Sequence, residues 1–510
     1  MLVALLAWVP GAARSQPRPE AAGQRVEPQP REAALDAGAP PAATAPAEDR
    51  STATIADGRL PARAAEPAPA APLARAPWRA FEAVHAPQWL RFGLSHRARF
   101  EHLENDFRAS TPGSVSALSL RTLVTGELRF APVVVSAELQ DSRAFATTSA
   151  PLTTSLINPL ELLQATVGLR AQGLFIAGDE ASLTLGRQTL DVGSRRLVAR
   201  NEYRNTINGF TGLDAQWASP ARHVLRAFAV LPVVRAPSTI EGLAVNAIEF
   251  DRENTDALLW GAFYGAAPWR SRVQLELLLL GLHERDSARV QTGNRSLITP
   301  ALRVLRPPAP GALDFQLELM GQVGSSRATA AIADTTDLWH RAASVHASAG
   351  FLFDVAWRPR VALQFDGATG DADPGDTVNG RFDPLFGARR FDFGPTGLFG
   401  ALARSNLNAP GLRLECAPQQ TLDVLAEARL VWLASARDAW TTAGLRDPWG
   451  ASGTFVGEQL EARVRWTPFP RNLVFEVGGA AFLRGAFALN APGGRAAPTL
   501  YLMTQVTGTL

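Results

Sequence analysis

From Trp78 onward, apolar and polar residues alternate with a period of two, in segments separated by turn-forming residues. After Trp89 one parity reads Leu90, Phe92, Leu94, Ala98, Phe100, with His96 the exception, and the other reads Arg91, Gly93, Ser95, Arg97, Arg99, Glu101. The pattern recurs as Leu313, Phe315, Leu317, Leu319, Val323 against Asp314, Gln316, Glu318, Gln322. It returns from Val345 to Val355, from Leu422 to Trp432, and from Leu460 to Trp466 against Glu461, Arg463, Arg465. Period two is the signature of β-strands with one apolar and one polar face.

Length decides which kind of β-protein this is. The alternating segments run about 9 to 13 residues, enough to cross a bilayer at a tilt, whereas soluble strands are typically about five or six. An all-β fold is expected, a transmembrane antiparallel β-barrel over residues 78–510. At about 22 to 26 residues per strand plus connection, that span holds about 16 to 20 strands. Counting the pattern gives about 18, with the alternation weakest near Leu160, Leu258 and Ala301. A barrel this size has room for an aqueous lumen. The final segment, Thr499 to Leu510, suits closure by the last strand. Trp78, Trp89, Trp217, Trp269, Trp357 and Trp466 fall at strand ends, where interfacial aromatic girdles are expected.

The first residues read differently. Met1 to Pro10 is a short apolar stretch followed by Gly11, Ala12 and Ala13, as in a secretory signal peptide cleaved after Ala13 or Ser15. Residues 1–15 are assigned to it. Residues 16–77 are dominated by Ala, Pro, Arg and Glu, a composition that buries too little apolar surface to order itself, so a disordered periplasmic linker is expected.

Composition removes several function classes. Hydrophobic residues make up 46%, yet the longest aliphatic run, Leu277–Leu280, is far shorter than a membrane helix requires. The net charge of +2 carries no polycationic bulk for nucleic acid. Cys416 is the sole cysteine, and His85, His96, His102, His223, His283, His340 and His346 form no tight metal motif. No cofactor is expected. All 50 basic residues are arginine, a planar and permanently charged group suited to carboxylate and phosphate.

The segment Leu185-Gly-Arg-Gln-Thr-Leu-Asp-Val-Gly-Ser-Arg-Arg-Leu-Val198, continuing through Tyr203, Arg204 and Asn205 to Phe210, resembles the alginate-export family of outer-membrane barrels. Gly186, Arg187 and Gln188 supply its Gly-Arg-Gln, and Gly193, Arg196, Leu197 and Val198 its glycine and Arg-Leu-Val. Thr369-Gly-Asp371, Phe382, Pro384, Leu385, Phe386 and Asn406 resemble the family's long-loop pattern. Gly457-Glu458, Glu461, Asn472-Leu473, Gly478 and Phe482 resemble its closing hairpins. The resemblance implies an 18-stranded monomeric barrel in the outer membrane, with an arginine-lined constriction partly covered by loops. It implies a passive pore for an anionic, alginate-like polysaccharide or smaller anions. Its partners would be outer-membrane lipid and lipopolysaccharide, with periplasmic export components to deliver a polymer.

Parity supplies candidate pore-lining residues. A charge facing lipid at mid-depth costs about 2–4 kcal/mol, so strand arginines belong on the lumen face. Arg97, Arg99, Arg121, Arg129, Arg360, Arg413, Arg429, Arg463 and Arg465 fall there, as do Arg91 and Arg226. Structural pairing with lumen carboxylates such as Glu101, Glu127, Glu318 and Glu461 competes with solute contact for each of them. Arg187 shares parity with Leu183 and Leu185, so it enters the candidate set with Arg196 through the resemblance. Asp366, Asp371, Asp373 and Asp376 sit among glycines and offer oxygen ligands for Ca²⁺, but their spacing does not match an EF-hand, and an ordinary acidic turn in an extracellular loop is the favoured reading. The segment Phe382 to Phe399, rich in Gly, Phe and Arg, is a candidate gate over or inside the pore. No phosphate loop, zinc helix or nucleophile elbow is present, so no enzyme is expected. The alternatives are a barrel hydrolase, for which His96 is the available lipid-face histidine, and a structural or adhesive barrel.

Overall fold

The computed structural model describes residues 78–510, apart from 112, 149–151, 270–271, 288–289 and 470. The expected signal peptide and linker lie outside the described residues. Eighteen long antiparallel strands form one closed sheet. In chain order β1–β6 are Leu90–Glu104, Val115–Phe130, Val133–Ala146, Asn158–Gln172, Glu180–Gln188 and Phe210–Ala218. Strands β7–β12 are Val224–Val234, Ala257–Gly265, Gln274–Glu284, Ser296–Arg306, Ala312–Ser326 and Leu338–Leu352. Strands β13–β18 are Arg360–Ala368, Leu407–Gln419, Leu422–Trp432, Phe455–Phe469, Leu473–Arg484 and Thr499–Thr509. Each strand pairs with the next, and β1 pairs with β18 from Ser95–Thr509 to Glu104–Leu500. Closure leaves no unpaired edge, which a sheet in lipid requires because nothing else there can bond its backbone.

The wall is inside-out relative to a soluble protein. On β16, Leu460, Val464 and Trp466 are 45, 44 and 48% exposed, while Glu461, Arg463 and Arg465 between them are 6, 6 and 9% exposed. The exposed apolar face meets lipid and the covered polar face lines the lumen. The expected barrel is therefore observed.

The regions of weak alternation are strands β4, β8 and β10, and each has a physical reason. On β4 the register shifts opposite Glu138/Leu139 and reverses the face pattern. On β8 and β10 the lumen residues are themselves apolar, including Leu259, Leu297 and Ala301, because loops pack on them from inside.

Short turns such as Gln420–Thr421 occupy one rim, together with the start of β1 and the end of β18. There the Asn472 side chain accepts from Trp78 N at 2.8 Å and donates to the carbonyls of Trp78 (2.7 Å) and Thr509 (2.8 Å). The entering chain is thus tied to the barrel seam. Long connections lie on the other rim, and two of them, 189–209 and 369–406, turn into the lumen.

Candidate functional site

The 189–209 loop leaves the wall at Gln188. Its Leu190, Val192, Leu197 and Val198 pack on Phe228, Val230, Leu259, Leu280, Leu282 and Met320 of the inner wall. Each such side chain removed from water contributes about 1.5–3 kcal/mol, so this sector of the wall acts as a dry bed that holds the loop inside.

The opposite wall holds the same loop by a different chemistry. Arg97 donates through Nη1 to the carbonyls of Glu202 (2.9 Å) and Tyr203 (3.1 Å), and through Nη2 to that of Arg204 (2.5 Å). Arg121 donates to the carbonyls of Glu202 (2.7 Å) and Arg204 (3.1 Å). Arg99 donates to Tyr203 O at 2.7 Å and to Gln505 Oε1 at 2.8 Å, and its guanidinium lies 4.0 Å from the centre of the Tyr203 ring. The Arg390 guanidinium stands 4.8 Å from the same ring centre. Arg97, Arg99 and Arg121 thus bond to neutral carbonyls, and none forms an ion pair with a carboxylate among the described residues.

The 369–406 loop interlocks with the first. Phe386 N donates to Leu197 O (3.0 Å), Ala199 N to Phe386 O (3.2 Å) and Ala388 N to Arg195 O (2.8 Å). A Cβ at position 387 would lie 1.7 Å from Arg196 O, so only glycine permits this approach. Beyond it lies an ion-pair lattice. Arg196 reaches Asp392 at 2.8 Å and Glu318 at 2.6 Å, Arg404 also reaches Asp392, and Arg390 pairs with Glu461 at 2.6 Å. Toward the long-loop rim, Phe393, Leu398, Phe399 and Leu402 join Trp440, Phe487, Phe107, Phe482 and Tyr501 in an apolar plug. The segment expected as a candidate gate therefore lies inside the barrel, under a dry plug and on a charged lattice.

The remaining candidate arginines are neutralised to different extents. Arg129 pairs with Glu127, and Arg360 with Asp314 (2.5 Å) and Glu415 (2.9 Å). Arg413 contacts Glu415 (3.0 Å) and donates to Phe391 O (2.7 Å). Arg429 contacts Glu427 and Asp366 (2.9 Å), and Arg465 contacts Glu476 (2.7 Å). Arg463 is buried on the lumen face of β16 between Glu461 and Arg465. Arg196 belongs to the inward loop. Arg187 keeps the outward face of Leu183 and Leu185, where Glu161 (2.5 Å) and Glu253 (2.7 Å) cover it, so it does not line the lumen.

The four acidic candidates for Ca²⁺ do not converge. Asp366 faces the lumen from β13, Asp373 pairs with Arg437 at 3.0 Å, and Asp376 accepts from Val378 N at 2.7 Å. Asp371 receives no ligand partner from the other three; its backbone N–H donates to Asp438 at 2.8 Å. The group of possible ligands that does form among the described residues is His346, Asp366 and Asp392. Its carboxylates are already held by Arg429, Arg196 and Arg404, whose charges oppose a cation.

Asp392, Arg404 and Arg390 carry the lattice and were not singled out by the sequence. They lie in a segment without period, so no face could be assigned to them.

One loop carboxylate sits outside the lumen. Asp251 accepts from Asn158 Nδ2 (2.8 Å) and Ala236 N (2.8 Å). Burial, and then the neighbouring Glu161 charge, push its acid dissociation up from 3.8 to about 6, with Arg235 opposing. The protonated form is favoured in the fold. Stabilisation of the 235–256 loop is therefore full below about pH 4 and is lost as pH rises through about 6. The difference is on the order of 3 kcal/mol. Amide exchange across residues 236–250 is expected to be slower at pH 5 than at pH 7.5 after correction for intrinsic rates. Asp251→Asn should abolish that difference, and an unchanged pH dependence in the variant would refute the assignment.

Comparison with known proteins agrees with this architecture. The family model described as alginate export matches residues 88–500. No curated protein matches the chain. Among solved structures, Acinetobacter baumannii OccAB2 aligns with a TM-score of 0.53 at 11% identity, over 82% of this chain and 98% of that one. Pseudomonas aeruginosa OccK8 (OprE) aligns with a TM-score of 0.52 at 10% identity, over 82% and 98%. At such identity these two show the shared fold alone. The family match spans nearly the whole barrel, and the chain belongs to the alginate-export family of outer-membrane β-barrels.

Proposed function

We propose that this barrel is a passive pore for an anionic solute, either an acidic polysaccharide of the alginate type or smaller anions, and that it is not an enzyme. The observation that carries this reading is the trio Arg97, Arg99 and Arg121, whose charges meet carbonyls instead of carboxylates. Such cations attract an anion into a narrow lumen, and passage follows if each contact is weak enough to reverse. Passage of a polymer requires the 369–406 loop to move aside, since the plug and lattice fill the long-loop end. A monomer served by periplasmic delivery components fits this role. Of the lipid-face histidines, His96 Nδ1 lies 2.9 Å from Thr122 Oγ1, while His102 Nδ1 lies 2.8 Å from Ser116 Oγ and His283 Nδ1 3.4 Å from Ser296 Oγ. The hydrolase alternative lacks, at either Ser–His contact, a carboxylate ion pair among the described residues to orient the imidazole.

The test is planar-bilayer conductance of refolded protein under a salt gradient. Anion-selective channels, blocked by added polyuronate, are expected. Cation selectivity would overturn the anionic solute, and absence of conductance under all conditions would overturn the pore.

A further inference from the structure

Because the 189–209 loop dives inward, β5 and β6 stop at nine residues each, while β3 and β4 run to 14 and 15. The wall therefore has a notch above β5 and β6. The 235–256 loop occupies it. At one side, Arg252–Glu253 pair antiparallel with Val233–Val234 at the end of β7. At the other, Asn246 takes the place of a strand partner: its Oδ1 accepts from Ala144 N at 2.9 Å, and its Nδ2 donates to Ala144 O at 3.0 Å. Ala144 lies just past Ser142–Asn158, the last pair of the β3–β4 ladder. Between these ends, Glu253 accepts from Arg187 (2.7 Å) and Thr211 (2.9 Å) on the outward faces of β5 and β6.

The loop has two faces like the strands it replaces. Leu243 points inward and joins the apolar plug. Ile240, Val245, Ile248 and Phe250 are 50, 74, 52 and 65% exposed, between Phe145 and Leu160 on one flank and Val234 on the other. The backbone bonds internally: Gly242 N to Thr239 Oγ1 (3.1 Å), Ala236 N to Asp251 (2.8 Å) and Asp251 N to Glu161 (2.8 Å). Irregular chain next to lipid needs such satisfaction. Glu241, Glu249 and Arg252 are exposed beside the apolar residues, the mixture found at a headgroup boundary.

We infer that the 235–256 loop is a piece of lipid-facing wall, seating Ile240, Val245, Ile248 and Phe250 at the boundary of acyl chains and headgroups in the outer leaflet. Its occupant is membrane lipid, because the patch continues the lipid-facing surface on both flanks. The inference rests on the membrane barrel and not on the solute. Nitroxide labels at Val245→Cys and, separately, Phe250→Cys in a Cys416→Ser background test it, in full-length protein reconstituted in phosphatidylcholine–phosphatidylglycerol vesicles. Leu185→Cys serves as the lipid-facing reference and Trp449→Cys, 85% exposed in another loop, as the aqueous one. The ratio of collision with oxygen to collision with a water-soluble nickel chelate should match that at Leu185 and exceed that at Trp449 several-fold. A ratio at both sites equal to that at Trp449 would place the loop in water, and exclusion of both reagents would place it against protein; either result overturns the inference. Channel silence would defeat the pore and leave this measurement unaffected.

Discussion

Asp392→Ala is expected to raise single-channel conductance sharply and to expose the 369–406 loop to proteolysis. Asp392 accepts from Arg196 Nη2 at 2.8 Å and Nε at 2.9 Å, and also from Arg404, with both guanidinium groups buried. Removing one partner of a buried pair costs about 3–5 kcal/mol, because the remaining charge is left without compensation. Here Arg404 would lose its carboxylate partner, and Arg196 would keep Glu318 alone. The ladders of β1–β18 do not depend on Asp392, so the molecule relieves the cost by releasing the loop and not by opening the barrel. Cleavage by an arginine-specific protease at Arg389 or Arg390 should therefore accompany the gain in conductance. Asp392→Asn, which keeps hydrogen-bond acceptance without charge, should fall between. Wild-type conductance and wild-type protection in Asp392→Ala would show that this lattice does not hold the loop.

The second large effect concerns selectivity. Arg97→Gln with Arg121→Gln removes two charges that form no ion pair with a carboxylate among the described residues and instead bond loop carbonyls. One unit charge about 6 Å from a permeating anion, at an effective dielectric of about 40, is worth about 1.4 kcal/mol, or roughly tenfold in partition. The reversal potential under a salt gradient should move by that order toward cation permeation for each charge. Arg360→Gln is the control, since Asp314 and Glu415 already offset that guanidinium. If the two variants shift selectivity equally, position relative to counter-ions is not what sets it.

The sequence by itself determined the barrel and its orientation of faces. Period-two alternation is local, and each strand carries it whole, so Arg97, Arg99, Arg121, Arg463 and Arg465 could be placed on the lumen face without any knowledge of neighbours. Strand length then separated a membrane barrel from a soluble sandwich. The same rule kept Arg187 on the outward side with Leu183 and Leu185, which the structure shows, but it could not supply the 235–256 loop that covers it. Where the lumen face is itself apolar, as at Leu259 and Ala301, alternation faded because the loops that bury it come from elsewhere in the chain.

Only the tertiary structure decided which lumen arginines pair with carboxylates and which bond loop carbonyls. Arg196 meets Asp392 across 196 residues of sequence, and Arg97 meets the carbonyl of Arg204 across 107. Neither separation leaves a period to read. Asp366 was legible as one of four carboxylates near a loop, yet β13 turns it into the lumen, toward His346 and Arg429. Periodicity reports the face a residue occupies. What it meets on that face depends on strand register and on loops whose sequence has no repeat, and these are fixed only when the sheet closes.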